Sequence, residues 1–510
     1  MNNPFTVQRR SFLQSMGLSL GMTQMLHPLS LLSSANAQES SDDHKALVCI
    51  NLGGGNDSNN MIVPGQGHAE YDDYIGYRRL PSENADDLPI YGVFADNDTT
   101  HFDHLFFNPA CRKFQEIFDG GHLACLLNVG NIFARVTKRG ELYDELSQRQ
   151  FPQFYASHSN AAEFWNTAFC EDGATQSGWG GRLAEWVATQ AQFNTGASVS
   201  PSFSVNSNSS LLAGAQGSVI PYTVRAPGAA PALNDHDYFH ADRLADFGAI
   251  MSRSAGSSLI PHAPLHADMG RKFLSANDQA GLVGQAFNDT EVNAKIDQAF
   301  TDAEASGGLA DQLKAVAKLI INHDKIGQDR QFFVVGQGGY DTHSGQLENH
   351  PVLLSALANA MMAFRNVLLD TEKFGDTITF TMSDFGRTLV PSLNGTNHAW
   401  GGHALIMGER PETSEPGQIE FRPGKYGNYP VLNLDNGSES MSINQEGRYI
   451  PQVATCEYAA RLAQWFGVDQ NSEVLFDLFP ELANFYPDTT TQLDSFEANG
   501  DLNFLQRVPS

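Results

Sequence analysis

The sequence predicts an α/β protein, a three-layer α/β/α sandwich around a mostly parallel sheet, with a loop-rich insertion. Three observations carry that expectation. First, the apolar runs Leu47–Leu52, Phe332–Val335 and Ile378–Phe380 have the β-branched and aromatic composition of strands buried on both faces. Second, each run breaks into a glycine-containing turn that delivers a carboxylate: Asp57 after Gly53-Gly54-Gly55, Asp341 after Gly338-Gly339, and Asp384 before Gly386. Third, the segment His350–Asp370 places Leu353, Leu357, Met361, Phe364 and Leu368 on one helical face. Strand, helix, strand in that order predicts a right-handed parallel crossover. Open α/β sheets put ligand sites at the carboxyl ends of their strands, so the three acids mark the expected site.

Taken in order, the chain begins with an address. Gln8-Arg9-Arg10-Ser11-Phe12-Leu13 is a twin-arginine pattern, followed by a mildly apolar stretch from Met16 to Leu32 and an A-x-A cleavage site, Ala35-Asn36-Ala37. Residues 1–37 are expected to be a signal peptide read by the twin-arginine export machinery, leaving 38–510 as a periplasmic or secreted domain. His27 and Pro28 interrupt the apolar stretch, which is too short and too polar for stable membrane insertion. Asp72–Asp103 is polar and punctuated by prolines, the pattern of a long loop. Pro109–Asp119 predicts a short helix, Leu123–Val129 a buried strand, and Ala161–Phe169 and the stretch from Gly178 to Ala191 two helices. The region of about 195–290 is the expected insertion over the sheet. Its first part is rich in Ser, Asn, Ala, Gly and Pro, with Phe203, Val205, Ile220 and Tyr222 in alternation. Helices are predicted at Thr290–Phe300 and Leu309–Ile321, a strand at His403–Met407 and an amphipathic helix at Tyr458–Phe466.

Composition bounds the function. The chain of 510 residues carries a net charge of −27, and removing Arg9 and Arg10 with the leader takes it to −29. A surface that acidic repels phosphate backbones and anionic lipid, which argues against nucleic-acid and membrane-surface binding. Five cysteines, Cys49, Cys111, Cys125, Cys170 and Cys456, include no C-x-x-C pair, so thiolate zinc and dithiol chemistry are not expected. Ser58 stands where the last glycine of a dinucleotide-binding G-x-G-x-x-G would fall, which removes that reading of the Gly53–Gly55 turn.

The residues left to carry chemistry are carboxylates and imidazoles. Asp341-Thr342-His343 places the two ligand types two residues apart, and His398 and His403 bracket Trp400-Gly401-Gly402 in a later loop. Together with Asp57 and Asp384 they form a candidate metal set of oxygen and nitrogen donors. Such a set suits Zn²⁺ or Mn²⁺, or Ca²⁺ or Mg²⁺ where carboxylates dominate. Arg387 is a candidate guanidinium for an oxyanion. Ser157, beside His158, is the candidate nucleophile with a base next to it, while Ser159 reads as a helix N-cap.

The motifs NLGGGND, SHSNAAEFW, GWGGRL, GGYDTHSGQ, SDFGRT, GTNHAWGGH, GRYIP and LFDLFP occur in that order across nearly the whole mature chain. As a set they resemble the exported bacterial family of domains of unknown function numbered 1501, itself similar to the alkaline phosphatase and sulfatase superfamily. That resemblance implies an alkaline-phosphatase-like sandwich holding one or two metal ions. It implies Asp57, Asp341, His343, Asp384 and His398 or His403 as ligands. Phe385 departs from the pattern, standing where relatives carry a His. The function expected from residues and resemblance together is an exported metal-dependent hydrolase of phosphate or sulfate esters, acting on a small-molecule or glycan ester. The alternative is a non-catalytic surface protein, binding a glycan or assembling on a degenerate hydrolase scaffold.

Overall fold

The structure, a computed structural model, describes in the main residues 43–78, 104–142, 155–170, 177–228 and 263–509, apart from short stretches at 216–218, 393, 414, 436 and 469–471. The expected signal peptide, residues 1–37, lies outside the described residues, as does most of the predicted polar loop. Nine strands form one sheet: β1 (Lys45–Gly53), β2 (Leu123–Gly130), β3 (Ser202–Val205), β4 (Tyr222–Val224), β5 (Arg330–Gly338), β6 (Thr377–Ser383), β7 (Gly402–Met407), β8 (Gly424–Tyr426) and β9 (Val453–Ala454). Their order is β8-β2-β7-β6-β1-β5-β3-β4, with β9 also paired to β2. β1 lies at the centre and runs parallel to β5 on one side and β6 on the other. β7 is the exception to the parallel rule, running antiparallel to both β6 and β2.

Alternation along β1 explains the three layers. Ala46, Val48 and Ile50 join a core with one set of helices, while Leu47 and Cys49 join a second core on the opposite face. The first face is covered by α2 (Lys113–Asp119), α6 (Thr290–Asp302), α7 (Gly308–Ile321) and α8 (Gln346–Asp370). The second carries α3 (His158–Thr167), α4 (Trp179–Thr189) and α9 (Thr455–Phe466). Two further helices are α1 (Tyr71–Arg78) and α5 (Ala263–Phe287). Of the predicted stripe of α8, Leu353 is partly buried against the first core, while Leu357, Met361, Phe364 and Leu368 are fully buried in it. Each of the latter contributes about 1.5–3 kcal/mol by leaving water.

Three local expectations are corrected by packing. Asp72–Asp103 was expected to be loop throughout, yet α1 begins at Tyr71 because Tyr74 and Arg78 are buried on one side of it. α8 starts four residues before the predicted His350, so Pro351 lies inside the helix; the buried Gln346 side chain anchors that earlier start. The alternating residues Phe203, Val205 and Tyr222 do not lie over the sheet but extend it, as the parallel strands β3 and β4, of which β4 is the edge. All five cysteines are buried thiols, none in a disulfide.

The interior also holds neutral histidines. His350 is fully buried; its Nε2–H donates to Asn56 Oδ1 at 2.9 Å and its Nδ1 accepts from Asn60 Nδ2 at 2.9 Å. Burial first, then the Arg78 and Arg387 charges, push its pKa down to about 4 against the pull of Asp57. Burial likewise holds His403 at about 3 and His323 at about 4. A depressed folded-state pKa means that the unfolded chain binds protons first, below about 6.5, so stability falls as pH drops from there towards 4. For His350 alone the full effect is about 3 kcal/mol. Urea unfolding at pH 7, 6, 5 and 4 should show this loss, and His350→Gln should flatten the slope; an equal slope in the variant would refute the assignment.

Candidate metal centre

The register of the three central strands sets the stage. Gly53 of β1 is level with Gly338 of β5, and Leu52 with Ser383 of β6, so three turns leave the sheet side by side. Gly54 and Gly55 both have positive φ, +111° and +83°. A Cβ on Gly54 would stand 2.5 Å from the Asp341 backbone nitrogen, and one on Gly55 would stand 2.4 Å from the Phe385 ring. Only glycine lets these turns approach so closely. A fourth segment, the turn from Gly386 to Trp400, is a narrow ribbon closed by backbone bonds between Gly386 and Ala399 and between Thr388 and Asn397. It sets His398 beside Arg387.

These segments bring three imidazoles to one carboxylate oxygen. The Nε2 atoms of His158, His343 and His398 lie 3.4, 3.2 and 3.4 Å from Asp341 Oδ1. His343 Nε2 and His398 Nε2 are 2.8 Å apart. Donors about 2.1 Å from a tetrahedral ion stand about 3.4 Å from one another, so the spacing to Asp341 is that of a coordination shell. His158, Asp341 and His398 offer ligand atoms all within 4.8 Å of one another.

The second nitrogens of two of these rings decide which face is presented. His158 Nδ1 is 2.8 Å from Asp384 Oδ2, and His398 Nδ1 is 2.8 Å from the Ala156 carbonyl. A carboxylate and a carbonyl only accept, so each Nδ1 carries a proton and each ring turns its Nε2 inward. His158 Nε2 faces Asp341 Oδ1 and is buried without a hydrogen-bond partner. A divalent cation between these atoms would fit the spacing, with Asp384 as the carboxylate behind the His158 imidazole. Phe385 packs on this wall, its ring centroid 4.9 Å from that of His158 and 4.5 Å from that of His398.

Burial alone would push the Asp341 carboxyl up, but the Arg387 guanidinium, with His158 and His343, outweighs it and holds the group at about 2. Asp341 is therefore ionised at any working pH. Burial lowers the pKa of His398, against the bond to Ala156. Both effects favour the ligand forms of the two groups.

Several expected roles are not the ones observed. Asp57, expected as a ligand, stands apart: Arg78 on α1 grips both its oxygens at 2.6 and 2.9 Å, and both side chains are fully buried. Burial would raise this carboxyl, and Arg78, His350 and Gln346 together hold it below the usual range. His403 is also elsewhere. It opens β7 inside the protein, accepts the Asn128 N–H at Nδ1, and lines a small cavity with Trp165, Trp400 and Ser58. Asp384 orients His158 and accepts the Gly54 N–H at 3.2 Å, so it stands behind the site rather than in it. Arg387 is fully buried and spends its donors on the Gly54, Gly55 and Thr396 carbonyls and on Asp341, leaving no fork for an oxyanion. His158 is no base for Ser157, because its nitrogens face Asp384 and Asp341; Ser157 Oγ lies 3.2 Å from Ser159 Oγ. Sequence reasoning missed His158 as a member of the cluster, since no strand precedes it. Its one signal was a His standing shortly before the predicted helix Ala161–Phe169.

Residues 44–410 match the family described as protein of unknown function (DUF1501), and the chain belongs to that family. No curated protein matches the sequence. Among solved structures, the lipoteichoic acid synthase LtaP from Listeria monocytogenes is similar at 8% identity, over 86% of this chain and 78% of that chain, with a TM-score of 0.29. Ps i-CgsB in complex with k-i-k-neocarrahexaose is similar at 9% identity, over 88% of this chain and 77% of that chain, with a TM-score of 0.30. Likenesses of that size leave the chemistry to the residues themselves.

Two variants separate the roles of the acids. Arg78→Met strands the buried Asp57 charge and should cost about 3–5 kcal/mol of stability in urea unfolding; a loss below about 1 kcal/mol would contradict the buried pair. Asp384→Asn should leave the fold intact while weakening cation binding about 10- to 100-fold, as measured by calorimetry.

Proposed function

We propose that this protein is an exported metal-dependent hydrolase of phosphate or sulfate esters. The observation that carries the reading is the convergence of three imidazole Nε2 atoms on Asp341 Oδ1, with His158 and His398 held from behind at Nδ1. His158, His398 and Asp341 would hold the cation, with His343 beside them, its Nε2 2.8 Å from His398 Nε2. Two imidazole nitrogens and one carboxylate favour Zn²⁺ or Mn²⁺ over the oxygen-seeking Ca²⁺ and Mg²⁺. A bound cation there would polarise an ester oxygen and make water more acidic, from about 16 towards about 7 on zinc.

The charge balance supports an anionic substrate. Arg387 already offsets Asp341, so a divalent ion less the Asp384 charge leaves the site net positive within a chain of net charge −27. An anion repelled elsewhere is attracted here. Access supports it too, since the side chains of Asp341 and His343 are 50% and 46% exposed. Asp384 keeps His158 oriented, and Arg387 keeps the Asp341 carboxylate aimed at the rings. The twin-arginine leader supports export of the folded protein to the periplasm or beyond.

A second reading, a binding or assembly protein on the same scaffold, is favoured by one observation: Ser157, the expected nucleophile, lies against Ser159 with no base. Metal analysis of the purified protein, with an aryl phosphate, phosphodiester and sulfate panel under added Zn²⁺ or Mn²⁺, distinguishes the two. The hydrolase reading expects stoichiometric metal that is lost in Asp341→Ala and His398→Ala, and turnover that falls at least 100-fold with it. Stoichiometric metal without turnover on any ester supports the binding protein. Metal-free protein after reconstitution, fully folded, would sink the cation site itself.

A further inference from the structure

Beneath the cluster, one amide joins three of the loops that form it. Gln346, the first residue of α8, is fully buried. Its Nε2 donates to Asp57 Oδ2 at 2.5 Å, in the turn after β1. Its Oε1 accepts from Thr342 Oγ1 at 3.1 Å, after β5, and from Thr396 Oγ1 at 2.5 Å, in the 386–400 ribbon. Its backbone N–H donates to the Asn394 carbonyl at 3.0 Å.

The chemistry permits only this orientation. A carboxylate accepts and cannot donate, whereas two hydroxyls can both donate, so the amide nitrogen must face Asp57 and its oxygen the threonines. The bonds fall at positions that matter. Thr342 lies between Asp341 and His343, and its carbonyl accepts the Thr396 N–H at 3.0 Å. Thr396 lies two residues before His398, and its carbonyl takes a bond from Arg387 Nη1 at 3.0 Å. On the far side, Arg78 clamps Asp57 and reaches the Thr388 carbonyl, so the amide is tied to a rigid buried pair.

We infer that Gln346 is a positioning residue for the cation site: its side-chain amide fixes Asp341, His343 and His398 relative to one another by tying Thr342 and Thr396 to the buried Asp57–Arg78 pair. The inference rests on the cation reading above and names a determinant outside the ligand set. A misplaced ligand costs affinity even when every ligand is present, because binding energy is then spent on moving loops. A purely structural amide would instead change stability and leave the ion's surroundings alone.

Cobalt(II) reads the difference, since its visible spectrum reports ligand geometry independently of turnover. Titration of the purified wild-type protein with Co²⁺, followed by calorimetry and visible absorption, gives the reference. Gln346→Met removes the amide at similar volume and should weaken Co²⁺ binding about 10- to 100-fold with a changed band shape. Thr396→Val removes one hydroxyl and should shift both readouts in the same direction by less. A folded Gln346→Met protein with wild-type affinity and spectrum would overturn the inference, even if its melting temperature fell. Where circular dichroism shows that Gln346→Met does not fold, Thr396→Val decides: an unchanged affinity and spectrum overturns it. Wild-type protein that takes up neither Co²⁺ nor Zn²⁺ removes the cation reading and this inference together; wild-type uptake with indifferent variants removes this inference alone.

Discussion

A single carboxylate oxygen sets the terms for this protein. Asp341 Oδ1 has the Arg387 guanidinium on one side and three imidazole nitrogens on the other. To collect those groups, the chain must bring four separated segments within a few ångströms and hold them there. Backbone pairing does most of this. The parallel register of β1 with β5 and β6 ends the strands level, and the glycines at 54 and 55 let the first turn lie against the second and the last. Side chains finish the work, through the bonds from Arg387 to main-chain carbonyls and through the buried amide of Gln346.

The three acids look equivalent in the sequence and are not equivalent in space. Asp384 directly follows the end of β6, Asp341 stands three residues past β5, and Asp57 four past β1. The shortest offset leaves Asp384 against the wall, behind His158. The middle one carries Asp341 over the opening. The longest takes Asp57 back under the turns, where only a guanidinium can neutralise it. An acid at a strand end is therefore a weak predictor of ligation unless the length of the turn is also taken into account.

Much of the architecture was legible because it depends on local pattern. Unbroken apolar runs marked β1, β2, β5 and β6, and the helical stripe marked α8. What escaped was set by long-range partners. α1 is polar by composition and becomes a helix around Arg78, whose partner is 21 residues away; the start of α8 depends on Gln346, whose partners lie in three other segments. The site was legible to the same degree. Asp341, His343 and His398 were expected to come together from spacing and residue type, whereas the placing of His158 with them, and of His403 away from them, follows from folding that no local window contains.

Three of the four partners of Arg387 are backbone carbonyls, those of Gly54, Gly55 and Thr396, and none of these bonds involves the Asp341 carboxylate. The loops around that carboxylate are thus tied to one another through this guanidinium as well as through the buried amide. Were a cation to bind as proposed, filling or emptying the site would shift side-chain tips and solvent more than backbone, and ions of different kinds would meet a receptacle of nearly constant shape.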